Sequence, residues 1–434
     1  MERLQPIYDA RSLGVVKMTT LGCQHLFAMF GGTVLVPMLT GLPVSLTLLF
    51  AGLGTLLFHL ITKGKVPAFL GSSMTFVAVY MAVRNLGVSQ GIAAEQALMY
   101  ACLAIAVGSL LYFVVAGCIV LFGVERIMKI FPPVVTAPII IAIGLTLAGS
   151  AVSDGKTDWF IAVVAVLTVI VSNVYGKGLV RIMPVLLGVI VSYVVAACCG
   201  KVDFTPVREA AWVGLPLTWN TTAMSLFTTD FNWTLFGQAC IFALPMIFAS
   251  IMEHLGDICA ISSTTERNLL TDPGLHRTLM GDGAATLLAS LFGAPANTTY
   301  SENTGTLSIT KVYDPKVVRI AACLGIVLAF CPKFAALIQA MPVATMGGVS
   351  FVLYGMISLV GIRQLVDSNV DFSNIRNVVL VAMILMLAVG IKYGSADLIH
   401  LAGIPVSGLA VAAINGIVLN LIFTLTERKN RHKQ

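Results

Sequence analysis

The sequence is short of charge. Asp, Glu, Lys and Arg make up 11% of its 434 residues, less than half the roughly 25% usual in soluble domains, so any water-exposed domain would have to be small. Catalytic apparatus is missing too. His25, His59 and His254 form no HExxH-like spacing, and no serine or cysteine stands beside an activating base. We therefore expect no enzyme, no catalytic residue, no metal set and no cofactor. The nine cysteines are odd in number, lie mostly in apolar runs and include no CxxC pair, with only Cys198 and Cys199 adjacent; they read as reduced core residues rather than a disulfide or metal framework. The opening stretch "MERLQPIYDARSLG" lacks a cationic segment leading into a short apolar core and a small-residue cleavage site. The first apolar run is thus expected to stay as a membrane helix.

What the chain has is hydrophobicity: 58% of residues are apolar and the mean hydropathy is +0.94. Runs of about 20 apolar residues, the length a bilayer core demands, recur almost end to end. Fourteen segments are expected, near 14–39, 43–62, 67–83, 94–121, 125–150, 158–175, 179–199, 233–261, 274–294, 297–312, 317–340, 343–361, 375–391 and 402–426. Charge tests this topology. With a cytoplasmic N-terminus, 20 of the Lys and Arg residues fall on the inner side and 6 on the outer, the asymmetry that cytoplasmic loops carry. Both termini are then cytoplasmic. The net charge of +6 is accounted for by cationic loops facing an anionic leaflet, with no nucleic acid required.

An internal repeat is visible. "QHLFAMF" from Gln24 resembles "EHLGDIC" from Glu253, an offset of 229, and "VPAFLGSSMTF" aligns loosely with "APANTTYSENT" at Pro67 and Pro295, an offset of 228. "PVVT" from Pro133 and "PVAT" from Pro342 recur in the same order. Two halves of seven segments follow, and an odd number of spans inverts the second half. Inverted repeats with interrupted segments point to a secondary transporter whose site lies near the midplane.

The interruptions carry the chemistry. "LGSSMTF" and "NTTYSEN" are rich in small and hydroxylated residues and follow Pro67 and Pro295, which suits a short extended stretch leading into a half-helix. Irregular backbone at membrane depth must be satisfied by protein or line a cavity. Two such stretches in segments 3 and 10 could satisfy each other as short antiparallel strands, leaving half-helices that begin near Met74 and Glu302 to offer free N–H groups and positive dipole ends. Four carboxylates, Glu253, Asp257, Asp282 and Glu302, fall in or near apolar segments of the second half, where an ionised group is costly and usually functional. Glu253 and Asp257, four apart, share a helix face; His254 is expected to point off it as a structural residue.

These stretches resemble a known family. "QHLFAMFGGTVLVP", "GKVPAFLGSSMTF", "EHLGD", "DPGLHRTLMGDGAAT", "NTTYSENTGTLSITKVY" and "MGGVSFVLYG" are similar, over nearly the whole chain, to the nucleobase–ascorbate transporters, in particular their bacterial uracil permease branch. The resemblance implies an all-α polytopic fold with a core domain of residues 1–121 and 233–340, a gate domain of 122–200 and 341–426, an extracellular loop at 201–232 and a basic cytoplasmic tail at 427–434. It implies a homodimer joined through the gate domains in a bacterial plasma membrane. It also implies a nucleobase held by Glu253 and Glu302, with backbone N–H groups near Met74 and Ser301, and with Gly32, Tyr300 and Tyr354 shaping the pocket. Three positions depart from the familiar uracil pattern. Met74 stands where an aromatic is typical, Ser301 where glycine is, and Asp257 where the best-known uracil permeases have histidine. Asp at that last place occurs in purine-transporting relatives, so import of xanthine or another purine is the alternative to uracil.

Two acids sharing one low-dielectric pocket link protonation to occupancy. Glu253, assisted by Asp257 and Asp282, is the expected proton-coupling centre, with Glu302 mainly orienting the base. Sodium is the rival ion, with Asp257, Asp282 and backbone carbonyls as its ligands.

Overall fold

The computed structural model describes residues 6–123, 132–178, 180, 183–228, 230–394, 398–401 and 404–431. Arg3, Arg126, Lys129, Arg181 and Lys433, within the Lys and Arg tally above, lie outside these residues, as do 125–131 at the start of the expected 125–150 segment.

The chain runs α1 (Val15–Thr40), α2 (Val44–Ile61), β1 (Leu70–Ser72), α3 (Val77–Ser89), α4 (Ala94–Gly108), α5 (Leu110–Phe122), α6 (Pro133–Gly155), α7 (Trp159–Tyr175), α8 (Pro184–Cys198), α9 (Thr205–Glu209) and α10 (Trp233–Thr265). It continues with α11 (Leu275–Leu291), β2 (Asn297–Thr299), α12 (Ser301–Thr310), α13 (Pro315–Ala329), α14 (Pro332–Gln339), α15 (Val343–Asp367), α16 (Ile375–Gly394), β3 (Leu398–Leu401), β4 (Ile404–Ser407) and α17 (Gly408–Arg431). Local chemistry sets many of the ends. Gly41, at φ 88°, closes α1 as a left-handed cap whose N–H bonds the Pro37 carbonyl. Asp158 and Asn232 cap α7 and α10 by accepting from Ile161 N and Leu235 N. Asp314 followed by Pro315 at the first helical position opens α13.

Each of the fourteen expected segments contains helix among its described residues. Among the described residues, seven helical stretches are by themselves long and apolar enough to span a bilayer, and an eighth if the bent pair α13–α14 counts as one. The 317–340 segment is therefore not one straight helix. It breaks between Ala329 and Pro332 and turns by 85°, because Pro332 has no N–H to continue the ladder and instead starts a new helix. A second departure lies at the last segment, where the expected 402–426 run opens with β4, paired to β3 with Leu398 opposite Ser407, and becomes helix only at Gly408.

The helices pack in two sets. In the first, α1 and α2 lie on α13, α2 and α5 on α11, and α4 on α3, α10 and α11. In the second, α6 pairs along α15 and α16, α16 along α17, and α7 along α8 and α15. The sets touch where α1 meets α8 and where α10 meets α6 and α17. The α6–α15 pair is close because it is built on glycine: a methyl carbon at Gly144 would stand 2.3 Å from the Tyr354 carbonyl, and one at Gly361 2.6 Å from that of Ala137.

Within the first set β1 and β2 pair antiparallel, as Leu70↔Thr299, Gly71↔Thr298 and Ser72↔Asn297. Side chains from neighbouring helices serve their outer edges, which have no further strand. Thr55 Oγ1 accepts from Leu70 N at 2.9 Å and donates to the Leu70 carbonyl at 3.1 Å. Thr286 Oγ1 donates to the Asn297 carbonyl at 2.6 Å, and the Tyr80 hydroxyl accepts from Ala296 N at 2.9 Å. The Leu70 amide and carbonyl, the Asn297 carbonyl and the Ala296 amide thus have partners where no further strand is paired among the described residues.

Candidate functional site

Each strand runs straight into a helix start. Beyond β1 a 3₁₀ turn at Met74–Phe76 leads into α3, and beyond β2 α12 begins at Ser301; none of these starts has a side-chain cap. Helix starts leave N–H groups without intrahelical partners, so two sets of donors face the crossing. Glycines let the crossing close up. A methyl carbon at Gly71 would lie 2.6 Å from the Tyr300 ring, and one at Gly32 2.9 Å from its hydroxyl. That hydroxyl donates to the Ser72 carbonyl at 2.7 Å, and Thr33 Oγ1 donates to it at 3.3 Å. Tyr300 thereby ties α1, β1 and β2 together from behind.

Carboxylates come to the same place from α10, α11 and α12. Thr75 Oγ1 donates to Glu253 Oε2 at 2.8 Å, and Asp257, Asp282 and Glu302 are near enough to act on the charge of Glu253. Thr299 Oγ1 donates to Asp257 Oδ2 at 2.8 Å. Asp282 is fully buried and lies 3.6 Å from Nδ1 of His254, itself fully buried. His254, expected as a structural residue, is thus packed against Asp282. Asn303, buried in the first turn of α12, donates from Nδ2 to the His25 carbonyl at 3.0 Å. Thr75, Thr299 and Asn303 were not singled out in the sequence, since no spacing marks a hydroxyl or an amide as a carboxylate or histidine partner.

A cavity of about 470 Å³ opens between the two helix sets, within the size range of small-molecule sites. Phe27, Gly32, Glu302 and Gly305 line it from the first set, and Met183, Leu353 and Met356 from the second. Of the residues expected to touch ligand, Gly32 and Glu302 face this cavity. Met74 is partly buried against Leu35 and its neighbours. Tyr354 is 1% exposed and packs within the second set, with Leu353 and Met356 taking the cavity wall.

The comparisons with known proteins agree with this architecture. The fold is similar to the transmembrane domain of the cyanobacterial bicarbonate transporter BicA, with a TM-score of 0.61 at 13% identity over 96% of this chain and 99% of that one. It is also similar to the murine anion transporter Slc26a9 in the inward-facing state, with a TM-score of 0.67 at 10% identity over 95% of this chain and 69% of that one. In sequence the chain is 39% identical to the uracil permease of Bacillus caldolyticus over 428 residues, 96% of this chain and 95% of that protein. It is 37% identical to the uracil permease of Escherichia coli K12 over 421 residues, 93% of this chain and 91% of that protein. A family profile described as a permease family, that of the xanthine/uracil permeases, matches residues 16–396. The chain is thus a multi-pass membrane protein of a transporter family rather than an enzyme, and it belongs to the xanthine/uracil permeases.

Proposed function

We propose that this permease imports uracil across the bacterial plasma membrane by proton symport, holding the base between Glu253 and Glu302. The observation that carries this reading is that Glu302 faces the cavity from one uncapped helix start while Thr75, at the other, donates to Glu253. Uracil presents N–H donors beside carbonyl acceptors. Ionised carboxylates accept the former, and the amides near Met74 and Ser301 donate to the latter. The uracil permeases it resembles at 37–39% identity support the choice of base. Asp257 belongs to the proton-sensitive group with Glu253 and Asp282; because it stands where the familiar uracil pattern has histidine and purine-transporting relatives have Asp, xanthine enters the competition below.

In this reading all fourteen segments serve a membrane fold of two inverted halves. The first helix set is the core that carries the base and the second is the gate, and the termini are cytoplasmic. A second cavity of about 310 Å³, lined by Asn85, Ser150, Met246 and Lys392, lies along the same seam at the opposite end from the first. Cavities at both ends of one seam suit alternating access, in which the sets move so that only one end opens at a time. The exposed apolar residues of α7, among them Val163, Leu167 and Val171, offer the gate a face for a second copy.

The test is uptake of radiolabelled uracil into proteoliposomes under an imposed pH gradient, with unlabelled uracil, xanthine, hypoxanthine and thymine as competitors. Uphill accumulation that collapses with the gradient and yields first to uracil is the expected result. Accumulation that follows a sodium gradient instead, or that yields first to xanthine, would refute the assignment of ion or base, and downhill flux alone would refute coupled transport.

A further inference from the structure

The chain has four tryptophans, Trp159, Trp212, Trp219 and Trp233, and they are 52%, 72%, 56% and 73% exposed. All four lie on the face away from the N-terminus. Tyr8 marks the N-terminal face, donating to the Thr265 carbonyl at the end of α10, whereas Trp233 is the first residue of that helix. Trp159 is the first residue of α7, and Lys201, just past α8, pairs with Asp158 beside it. Trp212 and Trp219 sit in the connection between α8 and α10. The Thr221 carbonyl lies against Gly293 at the end of α11. Gly214 N donates to the Phe330 carbonyl at 3.0 Å, and Lys333 N to that of Ala211 at 3.0 Å, at the break between α13 and α14. The connection is therefore pinned level with the ends of several spans.

At that break the chain turns by 85°, so α14 runs across the direction of α13. The neighbouring loop presents apolar groups that nothing in the fold covers. Val213 is 81% and Leu215 83% exposed. Lys333 places its ammonium 4.7 Å above the Trp212 ring. An indole that is apolar on its face and polar at its N–H, with a cation beside it, suits the headgroup layer. The tryptophans stand on both helix sets, as a rim would and a single docking patch for a protein partner would not.

We infer that the loop at residues 210–219, together with α14, is a membrane-surface anchor resting in the headgroup layer of the leaflet opposite the termini. Trp212, Val213 and Leu215 enter the acyl boundary, and Lys333 stays among the phosphates. This does not depend on which base is carried.

The test uses the full-length protein with Trp159→Phe, Trp219→Phe and Trp233→Phe, leaving Trp212 as the sole indole, in phosphatidylcholine bilayers. Lipids brominated high on the acyl chain should quench its fluorescence several-fold more strongly than deeply brominated lipids or aqueous iodide do. Quenching chiefly by iodide would put the loop in water, quenching chiefly by deep bromine would put it in the bilayer interior, and resistance to all would mean that protein covers it. Any of the three overturns the proposal. If the triple variant does not fold, the difference between the native protein and Trp212→Phe isolates the same indole, and the same outcomes decide.

Discussion

The two halves of the chain share a geometry and divide the chemistry. At an offset of 228, Thr75 of the first half aligns with Asn303 of the second, since 75 + 228 = 303, and Met74 aligns with Glu302. Each aligned residue reaches across to the other half. Thr75 donates to Glu253 on α10, and Asn303 to the His25 carbonyl on α1. The repeat thus builds a reciprocal clasp, one half-helix held by the long helix of the opposite repeat. Yet the first half contributes a thioether and a hydroxyl where the second contributes a carboxylate and an amide, and Glu253, Asp257, Asp282 and Glu302 all lie in the second half. In the proposed reading the shared pattern supplies the frame, and the departures from it supply the recognition.

The comparison can be broken at its most unequal pair. Glu302→Gln puts an amide donor where a substrate N–H needs an acceptor. Losing a hydrogen bond to a charged group costs about 1.5–3 kcal/mol, so calorimetry should show uracil binding weakened roughly ten- to hundredfold. Unchanged affinity would remove Glu302 from contact with the base. Thr75→Val is the next largest change. It leaves Glu253 without its hydroxyl partner and should weaken binding roughly tenfold, with Thr75→Ser restoring it, because the bond and not the methyl group is what matters.

Away from the crossing the effect should move from binding to stability. Gly144→Leu overpacks the glycine-lined contact between α6 and α15 and should cost about 1–3 kcal/mol, seen as a lower melting temperature in detergent while the folded protein keeps its affinity for uracil. At the smallest end, Lys201→Ala breaks an exposed pair with Asp158, and such pairs contribute little. Melting temperature and uptake should both match the parent.

Much of this frame was legible in the sequence for definite reasons. The strand pair at Leu70–Ser72 and Asn297–Thr299 could be foreseen because small hydroxylated residues after Pro67 and Pro295 interrupt otherwise apolar runs. Glu253, Asp257, Asp282 and Glu302 stood out because charge is rare here and costly at membrane depth. The break before Pro332 stayed hidden because averaged hydropathy passes smoothly over a single proline. The β3–β4 hairpin was masked in the same way by an apolar stretch that periodicity cannot divide between strand and helix. The approach of His254 to Asp282 was not legible, because the two lie on different helices with no spacing to join them. Tyr300 was expected to shape the pocket, and only the structure shows its hydroxyl bonding the Ser72 carbonyl.

The central claim is that Glu253 carries the coupling proton while Glu302 orients the base. It is tested most directly by measuring uracil affinity and gradient-driven uptake side by side in Glu253→Gln and Asp257→Asn. Gln at 253 imitates the protonated acid, keeping hydrogen-bonding capacity and removing titration. The account predicts that Glu253→Gln still binds uracil but no longer accumulates it under a proton gradient, and that Asp257→Asn keeps part of that accumulation. Normal proton-driven accumulation by Glu253→Gln would contradict it, and loss confined to Asp257→Asn would move the coupling role one helical turn along α10.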